Sequence, residues 1–461
     1  MRPGAGSAVG GDGGRGREPP RPGLPTRWPP GPAPPAGAGA PGGRQGSPRA
    51  RLFRHRPYLL YFTGTTVSMV GTAMQFVANA WLAMELTNRG SSIGIMLVCV
   101  ALPGIALAPV IGVAVDRVDR RLLAAAMDAF RALALLVLPA AYYFHWLQAW
   151  HVYLVSFLIA VGDQVYNPTA LALIREVVPP ELLLYANSNA SVSNQIGALL
   201  GSGLGGVMVA ATSPIAVTIL NAGSYLFSAG CTLGMRRGLV VPAAGREGGH
   251  GFRRFLTQLK GGVAYISRHR GIAVCYLLML FLMSTLRTIN VLLPPFARNV
   301  LRVGATGYGY IDATFAVGAI LGNFSLGLWS RYLGDRAAMT FGMFALGGSL
   351  LLFALSRGLP VAMLGYLFIG ITFQVRIMYL TQAQHLTDIN YQGRVHSVFT
   401  VFSSLLALCI YAAMGFLGDV VSLRYLYLFQ AGVMAAGGAL AWRYIWRARG
   451  EAVRCAGSVA P

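Results

Sequence analysis

Beyond residue 56 the chain alternates long apolar runs with short polar turns, and the runs are about 20 residues or longer, the length at which a helix crosses the hydrocarbon of a bilayer. Twelve such spans can be drawn: 58–84, 92–115, 122–144, 150–173, 185–211 and 214–235 in the first half, then 272–300, 306–330, 337–355, 360–381, 395–417 and 423–446 in the second. The pattern predicts an all-α membrane protein of twelve transmembrane helices in two six-helix bundles. The predicted domains are a tail at 1–56, a bundle at 57–236, a linker at 237–270, a second bundle at 271–447 and a short tail at 448–461.

Basic residues set the orientation. One face holds Arg117, Arg120, Arg121, Arg175, the 236–270 segment, Arg331, Arg336, Arg394 and the arginines of both tails, whereas the other holds only Arg89, Arg298, Arg302, Arg357 and Arg424. By the excess of bases on the cytoplasmic side, both termini are expected in the cytoplasm and the chain in the cell's inner (plasma) membrane.

Two segments break the pattern. Residues 1–56 are Gly, Pro and Arg with few large apolar side chains, too little buried surface to offset the entropy of ordering, and are expected to be disordered. In the linker, Phe252, Phe255, Leu256, Leu259, Val263 and Ile266 recur at helical spacing against Arg253, Arg254, Lys260 and Arg268. That is a basic amphipathic helix, expected to lie on anionic lipid, with Gly261 and Gly262 loosening its middle.

Composition narrows the function. Of 461 residues 55% are hydrophobic and 11% charged, which excludes a soluble globular protein. The formal charge of +22 sits in turns and tails, so it marks topology and not a nucleic-acid surface. The single lysine, Lys260, does not follow a Gly-rich loop, so the chain has no Walker-type ATP site; zinc-protease, serine-hydrolase and Cys-x-x-Cys signatures are also missing. No enzymatic activity, metal or cofactor is expected. The partners expected are a small-molecule substrate, protons and the bilayer, with the chain acting as a monomer.

Charges inside apolar runs are costly and each needs a partner or a purpose. Asp163 stands mid-span in the fourth run, followed by Gln164, Tyr166, Asn167 and Pro168; at the equivalent level of the tenth run stand Gln374 and Arg376. An Asp163–Arg376 pair across a central cavity is therefore expected, made or broken by protonation, against the plainer reading of a static ion pair. Asp312 in the eighth run and Arg287 in the seventh are further proton-coupling candidates, although the position of Asp312 near its outer end favours a solvated or capping role. Asp128 and Arg131, three residues apart, are read as an intrahelical pair.

The densest charge is at residues 112–121, Gly-Val-Ala-Val-Asp-Arg-Val-Asp-Arg-Arg, between the second and third spans. Residues 327–336, between the eighth and ninth, repeat its glycine and terminal arginine with Arg331 in the place of Asp116, so the halves are pseudo-symmetric. The decapeptide resembles the loop motif of the Major Facilitator Superfamily. Asp128, Arg131, Pro168, the Val177-Val178-Pro179 run and Ala186-Asn187-Ser188 are more similar to its group of enterobactin exporters and macrolide or multidrug efflux proteins. The resemblance implies proton-coupled efflux of a bulky organic compound by alternating access. It departs from many antiporters at residues 201–206, which lack their proline.

With that resemblance, Gly112, Asp116, Arg117, Arg120 and Arg121, braced by Asp128 and Arg131, form a conformational latch, with Arg394 as a distant partner of Asp116. Cavity-lining spans one, four, seven and ten would supply Gln75, Phe76, Asn79, Trp81, Tyr166, Asn167, Asn290 and Gln374 toward substrate. Small residues in the fifth span (Asn187, Ser191, Asn194, Ala198, Gly201, Gly205) and the eighth (Gly318, Gly322) are read as packing, or sliding, surfaces between bundles. A lipid flippase of the same fold and a non-transporting membrane sensor are the competing functions.

Overall fold

The computed structural model describes residues 48–106, 118–235 and 251–457, every regular element of which is helical. The first half comprises α1 (Pro48–Arg54), α2 (Arg56–Thr87), α3 (Ser91–Ala106), α4 (Arg120–Tyr143), α5 (Ala149–Val177), α6 (Leu183–Ala211) and α7 (Pro214–Gly234). After the linker helix α8 (Gly251–Arg268) come α9 (Arg270–Pro295), which ends in a wider turn over Phe296–Leu301, then α10 (Gly304–Leu333) and α11 (Asp335–Ala354). The second half closes with α12 (Leu359–Phe373), α13 (Val375–Leu386), α14 (Gln392–Val420) and α15 (Leu423–Gly457). Among the described residues ten helical segments are long and apolar enough to cross a membrane, counting α12 and α13 as one. The second expected span is described only as the 16 residues of α3, and the twelfth lies within α15.

Helix starts follow local chemistry. Pro57, Pro214 and Pro360 occupy the first turns of α2, α7 and α12, where a missing N–H costs nothing. The Asp119 carboxylate accepts from the N–H of Arg121 at 2.9 Å and so opens α4. One span is broken: in place of a continuous helix over 360–381, α12 and α13 meet at Gln374. There the Gln374 N–H turns back to the Ile371 carbonyl at 3.4 Å, and its side-chain Nε2 donates to the Gly370 carbonyl that the backbone has left.

Helices α2 to α7 make one bundle, with α2 against α6 and α7, α4 against α5 and α7, and α3 against α5. Helices α9 to α15 make the other, with α10 against α12, α11 against α12 and α15, and α9 against α13, α14 and α15. The bundles meet along two pseudo-symmetric seams, α6 with α10 and α3 with α14. We call the face where α2 begins proximal, and the opposite face, where α3, α7 and α10 begin, distal.

Both seams close on glycine near the distal face. A Cβ on Gly206 would come within 2.5 Å of the Ala305 carbonyl oxygen and 2.8 Å of the Gly309 Cα, and one on Gly94 within 2.5 Å of the Tyr411 carbonyl and 2.8 Å of the Gly415 Cα. Backbones this close tolerate no side chain. The small-residue stripes expected at these seams do a different job. Gly201 and Gly205 pack on Ala73 and Met74 of α2, and Gly318 and Gly322 on α12, each within its own bundle; Ser202 and Gly206 carry the α6 seam.

Two expectations about peripheral segments also change. The last residues of the tail are not disordered: α1 buries Leu52 against Tyr58, Ile174, Val178 and Ala186, and sets the Phe53 ring edge-on to Phe62 at 5.2 Å, because its two apolar residues fit the groove beside α2. Residues 1–47 lie outside the described residues. The linker helix α8 is parted from α9 at His269, and Gly261 and Gly262 do not loosen it. They let it pack on the start of α14, where a Cβ on Gly262 would meet the Arg394 carbonyl at 2.7 Å and the Tyr265 ring stacks on Tyr391 at 4.4 Å.

Candidate functional site

The third span carries a buried charge. Asp128 and Arg131 lie three residues apart on α4, so both project from one face, into the space between α5 and α7. Arg131 donates from one guanidinium nitrogen to Asp128 and from the other to Asp163 of α5 at 2.5 Å. Aromatic faces complete the enclosure, with the guanidinium 4.2 Å from the Tyr166 ring centroid and 4.4 Å from that of Tyr225. Gly162 admits the arginine stem, since a Cβ there would lie 2.7 Å from its Cγ.

Exposure within the triad is uneven, and that decides its chemistry. The Asp128 side chain is 0% and the Arg131 side chain 4% exposed, but that of Asp163 is 32% exposed. Asp163 faces a cavity of about 110 Å³ walled by Gln75, Phe76, Asn79, Ser156 and Tyr225 among others. A polar chain crosses the wall: Gln75 Nε2 donates to Asn79 Oδ1 at 2.7 Å and to Thr218 Oγ at 3.0 Å, and Asn79 Nδ2 donates to Ser156 Oγ at 3.3 Å. The buried Gln75 Oε1 keeps no partner. Two carboxylates share one guanidinium, so the triad has room for one more positive charge.

The expected Asp163–Arg376 pair is not formed. Asp163 is held by Arg131 of its own bundle, while Arg376, on α13 of the other bundle, lies 5.5 Å from the Phe373 ring and its Nε has no partner. The further candidates, Asp312 and Arg287, each have a partner of their own. Asp312 accepts the Ser202 hydroxyl across the α6–α10 seam, which replaces the solvated or capping position expected for it, and Arg287 donates to the Tyr411 hydroxyl at 3.0 Å. Of the expected cavity residues, Gln75, Phe76 and Asn79 line the cavity. Tyr166 is buried against Arg131, Trp81 packs on the apolar core, Asn167 is exposed, Asn290 is half-buried and Gln374 is buried at the helix break.

Of the decapeptide, Gly112, Asp116 and Arg117 lie outside the described residues. Its end braces the proximal face: Arg120 donates to Glu176 at the end of α5, and Arg121 to the Leu233 carbonyl at the end of α7. The distal face carries contacts that the sequence reading missed. Asp419, at the end of α14, accepts from the N–H of Gly90 at 2.6 Å and of Ser91 at 3.2 Å, so a residue of one bundle caps helix α3 of the other. Arg298 donates to Asn88 at 3.0 Å beside it. An acid ending an apolar run on the face with few bases is the only trace of this cap in the sequence.

Comparison with known proteins agrees with this architecture. The model of the Major Facilitator Superfamily matches residues 61–410 and again 275–460. The chain is 25% identical over 293 residues to macrolide efflux protein A of Streptococcus pyogenes, covering 63% of this chain and 70% of that protein. It is 25% identical over 366 residues to the multidrug efflux pump Tap of Mycolicibacterium fortuitum, covering 74% and 84%. Among solved structures, a bacterial homologue of the iron transporter ferroportin in an inward-facing state superposes with a TM-score of 0.65 at 17% identity, over 85% of this chain and 99% of that one. The nucleoside transporter NupG superposes at 0.63 and 12% identity, over 84% and 98%.

Proposed function

The chain belongs to the Major Facilitator Superfamily, and from that premise we propose that it is a secondary active exporter, moving a bulky organic compound out of the cell in exchange for protons by alternating access. The observation that carries the coupling is the triad: Asp163 is its one solvent-accessible carboxylate, it stands on the cavity wall, and its partner Arg131 is buried and shared with Asp128. A proton on Asp163 cancels the excess negative charge and weakens the bond to Arg131, which then turns wholly to Asp128. Substrate and proton thus compete for one wall of one cavity. Two relatives, 25% identical over 293 and 366 aligned residues, are a macrolide efflux protein and a multidrug efflux pump, which favours a large, mostly apolar cargo.

The distal contacts support a cycle of this kind. In the conformation described, the Asp419 cap, the Arg298–Asn88 bond and both glycine seams join the bundles near the distal face. With the proximal face cytoplasmic, as the basic residues direct, this is the state that receives cargo from inside. Export then requires the distal contacts to part while the bundles rock as units. Arg120 and Arg121 contribute to that rigidity, because each ties the start of α4 to the end of another helix of the same bundle. The gating role of 112–121 falls on these two residues together with Asp116.

The test is pH-gradient-driven uptake of a macrolide into inverted membrane vesicles. Wild-type protein accumulates the drug when the lumen is acid, and Asp163→Asn does not. Equal gradient dependence in the two would refute the coupling role of Asp163.

A further inference from the structure

The proximal ends of the two bundles differ where pseudo-symmetry makes them equivalent. In the first bundle Leu60, Tyr61, Ala124, Tyr166 and Met235 close a small apolar core. The segments Arg56–Thr87 and Arg270–Leu301 are both 32 residues long, so Leu60 and Tyr61 correspond to Val274 and Cys275. The repeat that aligns Arg121 with Arg336 carries Ala124 to Met339, and alignment of the starts of α7 and α15 carries Met235 to Tyr444. These counterparts, Val274, Cys275, Met339 and Tyr444, line a cavity of about 150 Å³ instead of a closed core. One difference removes bulk there: at Cys275 a thiol stands where the other bundle places the phenol ring of Tyr61.

Charge also differs at the mouth. Arg121 is engaged by the carbonyl at the end of α7, but α15 continues past the equivalent point as helix, and among the described residues the Arg336 guanidinium has no partner. The acid beside it in the chain, Asp335, accepts the Ser330 hydroxyl. Among the described residues no carboxylate lines the cavity, whose other polar walls are Gln382 and the tyrosine hydroxyls. The mouth lies where α11 begins and α13 ends, the level at which a bilayer changes from hydrocarbon to headgroup, and α8 with Lys260 and Arg268 lies on the same face.

We propose that this cavity is a binding site for a single-chain anionic amphiphile of the cytoplasmic leaflet, its chain between Cys275, Leu278 and Met339 and its anion on Arg336. The site is separate from the Asp163 cavity and its occupation does not depend on the direction or coupling of transport. A ligand there links α9, α11, α13 and α15, and so stiffens the proximal end of the second bundle.

Equilibrium binding of radiolabelled decanoate to the purified full-length chain in a neutral maltoside tests this. Wild type should bind decanoate saturably, and Arg336→Gln should weaken it by about tenfold, the scale of one charge-assisted hydrogen bond. Cys275→Tyr, which fills the cavity as the first bundle is filled, should abolish it. Decyltrimethylammonium and inorganic phosphate should not compete, the first for want of an anion and the second for want of a chain. Unchanged affinity in a folded Arg336→Gln protein, equal competition by either control, or no saturable binding to wild type would each overturn the proposal. Arg336 is exposed, so that variant is expected to keep the wild-type melting temperature even where Cys275→Tyr does not fold.

Discussion

Arg131 is the residue on which the interior of the first bundle depends. A guanidinium inside a membrane protein is tolerable when its charge is paired, and here two carboxylates and two aromatic faces surround it, with only its Nε left without a hydrogen-bond partner. Removing it leaves two carboxylates without their counter-charge. Arg131→Ala is therefore predicted to destabilise the protein by about 3–5 kcal/mol, the usual cost of breaking a buried pair from one side, read as a lower melting temperature in detergent. Asp163→Asn keeps a neutral acceptor for Arg131 and should melt close to wild type, and that separates its role in coupling from a role in folding. Asp128 and Arg131 were legible in the sequence because i and i+3 share a helical face. The partnership with Asp163 was not, because the order of spans along a chain does not tell which helix lies beside which; reading across the repeat pointed to Arg376, in the wrong bundle.

At the scale of elements, the seams rest on the absence of side chains. At the α6–α10 crossing the Gly206 and Gly309 backbones are close enough that any Cβ strikes backbone, which cannot move aside as a rotamer does. Gly206→Val is predicted to force the seam apart at a cost of about 1–3 kcal/mol, the range for overpacking. A short thiol-to-thiol cross-linker placed between Asn88→Cys and Arg298→Cys, whose wild-type side chains are hydrogen-bonded across the distal face, should give a lower yield when Gly206→Val is added. The apolar runs were readable because hydrocarbon thickness imposes their length, and the Gln374 break was not, because glutamine is neither a turn former nor a helix breaker. It arises from a side-chain amide replacing a backbone donor, which only the folded geometry displays.

For the whole molecule, the distal cap sets the balance between the two ends of the cycle. Asp419 satisfies the first N–H groups of α3 from the opposite bundle, so the cap exists only while the distal face is closed. Asp419→Ala loses a cap worth about 1 kcal/mol, a shift of roughly fivefold in population toward the distal-open state. An Asn79→Cys reporter on the cavity wall should then react faster with a membrane-impermeant thiol reagent added outside cells; an unchanged rate would remove Asp419 from the gate.

The central claim is that Asp163 couples proton movement to cargo movement without being needed for the cargo's passage. Reconstituted liposomes measure both in one preparation, as exchange of a labelled macrolide at equal pH and as its accumulation against a pH gradient. Asp163→Asn is predicted to keep exchange within about threefold of wild type, a difference of less than 1 kcal/mol in the barrier, and to lose gradient-driven accumulation. Accumulation that persists in Asp163→Asn would contradict the account.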